Sequence, residues 1–236
     1  MTTFQYIILF VMAFLPPIIY SVWIRNTEKY NREKWRLIFL CFLWGATISV
    51  VAAIILEYIL HFSITPSIDD ENYLNIMIVV MIAPIVEEFT KPLALRLKAI
   101  RKVIVEPEDG LIYGAVAGLG FSATENLLYG WSFITEEGLL FFLILISIRS
   151  VGACLLHASA TAWTGYGYCK TIIKGTSIIR VLPYFIFAIF LHASYNSLLT
   201  FDIFGITAGF FGAIALSLIT IKFVRSKITS LDKMKN

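Results

Sequence analysis

Eighteen of the chain's nineteen lysines and arginines fall in four short segments, and long apolar runs separate those segments. They are Arg25, Lys29, Arg32, Lys34 and Arg36; then Lys91, Arg96, Lys98, Arg101 and Lys102; then Lys170, Lys174 and Arg180; then five from Lys222 onward. The intervening connections carry Asp69, Asp70, Glu71, Glu136, Glu137 and Asp202, and no base. Cytoplasmic loops of membrane proteins concentrate Lys and Arg, so this alternation sets both span number and orientation. It predicts seven spans, N-out and C-in: 4–24, 37–62, 72–95, 111–131, 139–168, 181–201 and 206–224. Each is long enough for a hydrocarbon core of roughly 30 Å at 1.5 Å per residue. The fifth is overlong and is expected to tilt or break near Gly165 and Gly167.

Composition agrees with an all-α polytopic bundle in the cell membrane. The chain is 58% hydrophobic and 15% charged, with a mean hydropathy of +0.81. No loop exceeds about a dozen residues, so residues 1–236 read as one integral membrane domain. The first segment does not read as a cleaved signal: it lacks a basic start, its apolar run is too long, and Pro16-Pro17 interrupts it. The net charge of +3 comes from the inner loops. It points to the bilayer and its anionic head groups as a partner, not to nucleic acid. Cys41, Cys154 and Cys169 are odd in number and lack metal-finger spacing.

Against this background, Glu87 and Glu88 stand together inside IMIVVMIAPIVEEFTKPLAL. A charge at membrane depth costs about 2.5–3.5 kcal/mol on insertion scales. Three later spans each carry one more titratable group: Glu125, His157 and His192. Helical rise places Glu87 and Glu88 ~5 Å inward of their span's centre, Glu125 ~6 Å outward and His157 ~9 Å inward. His192 is near its midplane. Tilt absorbs such offsets, so all are expected to line one cavity, on helices within about 72–201.

Neighbours one helical turn away share a face. The pairs are Glu87 with Lys91, Phe121 with Glu125 (Asn126 beside it), His157 with Thr161, and His192 with Asn196. Pro84 and Pro92 bracket the glutamates, and Gly110, Gly114 and Gly118 form a small-residue stripe for close helix contact. A shielded carboxylate suits a general base, and histidine relays protons, stabilises an oxyanion or ligates metal. The Glu/His set permits Zn²⁺ through Glu88, Glu125, His157 and His192. It equally permits a metal-free glutamate mechanism. No HExxH and no GxSxG is present.

Blander readings accompany each residue. Glu87–Lys91 also reads as a salt bridge at the inner interface, and Lys91 as a snorkelling side chain that leaves Glu88 active. The histidines and Glu125-Asn126 also read as helix-packing polar groups. Arg149, the one Lys or Arg outside the four basic segments, is expected to pair with a buried acid; Glu57 and His61 are expected at the outer interface.

EEFTK (87–91), FSATEN (121–126), HASAT (157–161) and HASYN (192–196) together resemble the PrsW family of intramembrane proteases, similar in turn to the type II CAAX-processing endopeptidases. EPEDG (106–110) adds to the likeness and brings in Glu106 as a supporting position. The resemblance implies cleavage of single-span membrane proteins, such as anti-sigma factors. It implies that Glu87 and Glu88 activate water, that Glu125 and His157 position it or hold a metal, and that His192 and Asn196 stabilise the oxyanion. Two other classes are compatible with membrane-embedded Glu and His: a proton-coupled transporter, and a non-catalytic binding or immunity protein. A transporter is expected to show two-fold repeats, and only the HAS echo hints at one.

Overall fold

The computed structural model describes residues 2–68, 70–202 and 205–234; Asp69, one of the outer acids, lies outside them. Their regular structure is entirely helical. Seven long helices follow one another: α1 (Thr3–Arg25), α2 (Trp35–Ser67), α3 (Glu71–Arg96), α4 (Pro107–Glu136), α5 (Leu139–Lys174), α6 (Ile178–Thr200) and α7 (Ile206–Lys233). A single turn, Lys98–Arg101, lies between α3 and α4. Large apolar side chains such as Phe4, Phe39, Phe62, Phe190 and Phe223 project outward from the bundle. Such a surface belongs in acyl chains. The chain is a multi-pass membrane protein.

Among the described residues, six helices are apolar and long enough to cross a bilayer. The seventh expected span, α4, is long enough at 30 residues but rich in Gly, Ala and polar side chains. Its position explains this. From Glu108 to Ala123 every residue of α4 is buried, so protein rather than lipid surrounds it. The glycine stripe does the packing. A Cβ on Gly118 would lie 2.3 Å from the His157 carbonyl oxygen, and one on Gly110 2.3 Å from that of Gly165. Only hydrogen fits where α4 meets α5.

Of the tilt or break expected of the fifth span, the break near Gly165 and Gly167 is absent: α5 runs for 36 residues to Gly175, whose φ of +60° ends it. Those glycines admit Gly110 and Tyr184 instead of bending the helix. At about 54 Å, α5 must tilt or emerge from the bilayer. Pro16 and Pro17 likewise lie within α1 without interrupting it.

The basic segments gather at one end. Lys29 N donates to Asp232 (2.9 Å), Arg225 Nε to Thr27 (3.0 Å) and Asn31 Nδ2 to Glu106 (3.3 Å). Arg96 and Arg101 share a cavity with Thr171 and Thr176. The C-terminal helix therefore finishes beside the end of α1, opposite the N-terminus, as an odd number of crossings requires.

Candidate active site

The site begins with the winding of α3. Ile78–Ile82 is a π turn, Ala83–Thr90 a regular α segment, and Lys91–Arg96 a tight 3₁₀ segment. Pro84 and Pro92 sit at the two changes, where a missing N–H and a ring clash prevent ordinary continuation. Within the α segment, Glu87 and Glu88 lie four and three residues before Lys91. Its Nζ is 2.8 Å from a carboxylate oxygen of each.

Lys91 does not snorkel. It is fully buried, with Nζ 2.7 Å from His157 Nδ1 and 4.4 Å from the centre of the Phe121 ring. Two carboxylates, an imidazole and an aromatic face replace the head groups it would otherwise seek. The ~100° between Glu87 and Glu88 is spanned by one long side chain, so both are held, not one.

The partners on α4, α5 and α6 complete a ring. His157 Nε2 lies 2.9 Å from Glu125 Oε2, which also pairs with Arg149 at 2.8 Å. Arg149 Nε donates to Asn126 (2.8 Å), and Asn126 Nδ2 to the Cys154 sulfur (3.3 Å). His192 Nδ1 lies 3.0 Å from Glu88 Oε1, and Thr161 donates to Glu88 Oε2 at 2.9 Å. The two imidazoles meet edge to face, 4.8 Å apart.

Several partners differ from those expected. Thr161 bonds Glu88, not His157. Asn196 donates to the Val79 carbonyl in the π turn at 2.8 Å, not to His192. Each pair does share a helix face, but its polar atoms reach across to α3, because α3 supplies the unpaired groups. Arg149 pairs with an acid as expected. Asn126 stands behind Arg149, away from the cavity.

A cavity of about 420 Å³ opens against this ring. Glu87, Glu125, His157, His192 and Asn196 line it, with Glu57, Arg149, Tyr129 and Tyr195. Glu57, expected at the interface, faces the cavity instead. The signal was available: it is the only acid in α2. Tyr129 and Tyr195 gave none, since aromatics fill every span. Glu106 does not join the site. It caps α4 with Asp109 at the basic end, 19 residues and about 28 Å along the helix from Glu125.

The donor set bears on a metal. Glu87 Oε2 is 3.7 Å from His157 Nδ1 and 3.9 Å from His192 Nε2, and these donors fit within a 4.8 Å cluster. Glu87 Oε2 is buried with no aligned hydrogen bond, although Lys91 Nζ stands 2.8 Å away. Lys91 donates to His157 Nδ1, which leaves the His157 proton on Nε2 toward Glu125. Glu88 likewise fixes the His192 proton on Nδ1. The His192 Nε2 lone pair and the Glu87 oxygen thus stand near His157 Nδ1, whose own lone pair accepts from Lys91, and each imidazole is backed by a carboxylate. With Lys91 withdrawn from His157, two histidines and a glutamate would offer the donor set of a catalytic Zn²⁺. Glu88 and Glu125, also expected as ligands, lie on the other side of the imidazoles, against His192 Nδ1 and His157 Nε2.

A family model described as PrsW family intramembrane metalloprotease matches residues 33–224. A relative named Protease PrsW, from Clostridioides difficile (strain 630), is 32% identical over 125 residues. The alignment spans 52% of this chain and 51% of that relative. No solved structure matches the chain.

Proposed function

We propose, from the premise that this chain belongs to the PrsW family of intramembrane metalloproteases, that it hydrolyses peptide bonds of single-span membrane proteins within the bilayer. Anti-sigma factors are the expected substrate class. The observation that carries the reading is the meeting of Glu87 Oε2, His157 Nδ1 and His192 Nε2 on the wall of a cavity at membrane depth.

Glu87, His157 and His192 would hold Zn²⁺, which when bound polarises a carbonyl and acidifies water. The remaining residues prepare that corner. Glu88 holds the His192 Nδ1 proton and is itself fixed by Thr161 and Lys91. Glu125 holds the His157 Nε2 proton and is fixed by Arg149. Lys91 offsets the charge of the glutamate pair; keeping both carboxylates while yielding His157 Nδ1 frees that lone pair. Asn196, with one N–H on Val79, presents its amide at the wall where an oxyanion would develop. Arg149, Tyr195 and the apolar side chains of Val50, Ile54 and Leu199 shape the space for an extended peptide.

The test is co-expression and reconstitution with candidate single-span proteins, comparing the intact chain with Glu88→Gln and His192→Ala. The expected outcome is cleavage by the intact chain alone and about one zinc per chain, lost in His192→Ala. Cleavage at the normal rate by both variants would end the protease reading. Normal cleavage after complete chelation would end the metal reading and leave the protease one.

A further inference from the structure

Below the active site, at the basic end, two cavities lie in series between α3, α5 and the start of α6. The first, about 350 Å³, is lined by Arg96, Arg101, Tyr168, Thr171 and Thr176. The second, about 210 Å³, runs along Phe89, Pro92, Leu182 and Phe185. Tyr168 and Ile178 line both. The chemistry changes sharply across that shared wall, from two guanidiniums and hydroxyls to an almost wholly apolar cleft.

Among the described residues neither Arg96 nor Arg101 forms an ion pair, although Arg96 hydrogen-bonds the Tyr168 hydroxyl; Lys91 and Arg149 of the active site are both ion-paired. Unpaired arginines on a surface are ordinary. Here they share a concave wall that continues into apolar protein, beside the outward-facing Ile178 and Ile179, 53% and 65% exposed. A soluble anion would satisfy the arginines and leave the cleft unfilled; an acyl chain alone would do the reverse. One molecule does both.

We propose that this pair of cavities binds one anionic phospholipid of the inner leaflet. Its phosphate sits on Arg96 and Arg101, and one acyl chain lies along Ile179, Leu182, Phe185 and Phe89. Guanidinium forks suit a phosphate geometrically, and basic pockets between helices on the cytoplasmic side take anionic head groups. The cleft ends near Glu88, which is itself fully buried and does not meet the bound chain. The binding proposal stands whether or not the protein is a protease.

The experiment is native mass spectrometry of the purified full chain in detergent, titrated separately with phosphatidylglycerol, phosphatidylcholine of the same chains, and inorganic phosphate. One phosphatidylglycerol per chain is expected to be retained, with phosphatidylcholine far weaker and phosphate a poor competitor. Arg96→Gln with Arg101→Gln is expected to weaken that binding about thirtyfold, and Arg101→Gln alone about fivefold. The single variant, at an exposed side chain, keeps the test open should the double variant misfold. A charge-matched control, Lys34→Gln with Lys222→Gln, is expected to bind as the parent does. Equal retention of the two lipids, parental affinity in the arginine variants, or an equal loss in the control would overturn the proposal. Displacement of the lipid by equimolar phosphate would do so too, and would make the source a free anion.

Discussion

Two groups of buried and half-buried acids occupy this bundle, and their surroundings differ. Glu87, Glu88 and Glu125 lie at membrane depth beside a cavity, interleaved with His157, His192, Lys91 and Arg149. Glu28, Glu33, Glu106, Glu108 and Asp109 lie at the basic end, among loops and a helix start. Both contain three donors close enough to hold a cation. The second group contains no histidine, and its bonds tie chain segments together: Tyr113 donates to Glu33, Asn31 to Glu106, and the Val105 and Glu106 amides to Asp109. Buried carboxylates therefore do not mark a reaction centre by themselves. Imidazoles that line a cavity are what separate the two.

The sharpest way to break this contrast is one neutralisation in each group. Glu87→Gln, which removes a proposed zinc ligand, is expected to lower cleavage by more than about 10²-fold, beyond the 10–100-fold typical of a carboxylate behind a ligating histidine. Glu106→Gln is expected to leave cleavage within a few-fold of the parent. Similar losses in both would erase the distinction. Next, Glu125→Gln is expected to cost about 10–100-fold in metal affinity or rate, as loss of a carboxylate behind a ligating histidine does. Zinc titration of the variant measures it.

A smaller effect is expected at the helix contact that brings His157 to α4. Gly118→Ala puts a methyl 2.3 Å from the His157 carbonyl, so the helices must part. The expected destabilisation is about 1–3 kcal/mol, read from thermal unfolding in detergent. A pH effect is confined to the structural group. Burial, then the charge of Asp109, raises the Glu33 carboxyl to about 8. An unfolded glutamate ionises near ~4.3. The folded state thus retains a proton the unfolded chain loses, and stability falls as pH rises from about 5 to about 8, then levels. Glu33→Gln is expected to flatten that slope. An unchanged slope in the variant would place the titration elsewhere.

Much was legible in the sequence because hydrophobic length and charge sign act locally. Any apolar run of some twenty residues must cross the bilayer, and lysine placement alone fixed which ends lie together. Glu87, Glu88, Glu125, His157 and His192 stood out because lipid penalises each one separately. The glycine stripe was readable for a similar reason, since close approach requires the absence of a side chain.

What each polar atom touches was not readable. Periodicity gave the faces of α5 and α6, yet Thr161 and Asn196 bond across to α3, and Lys91 turns inward rather than toward head groups. Glu57 passed for an interfacial acid until α2 was seen to wall the cavity. Sequence alone decided the number of helices, their alternation and the identity of the buried charges, because burial in lipid is a property of each segment. Tertiary packing decided that Glu87 and not Glu88 faces both imidazole lone pairs, because that outcome depends on tilt, rotation and side-chain reach among four helices at once.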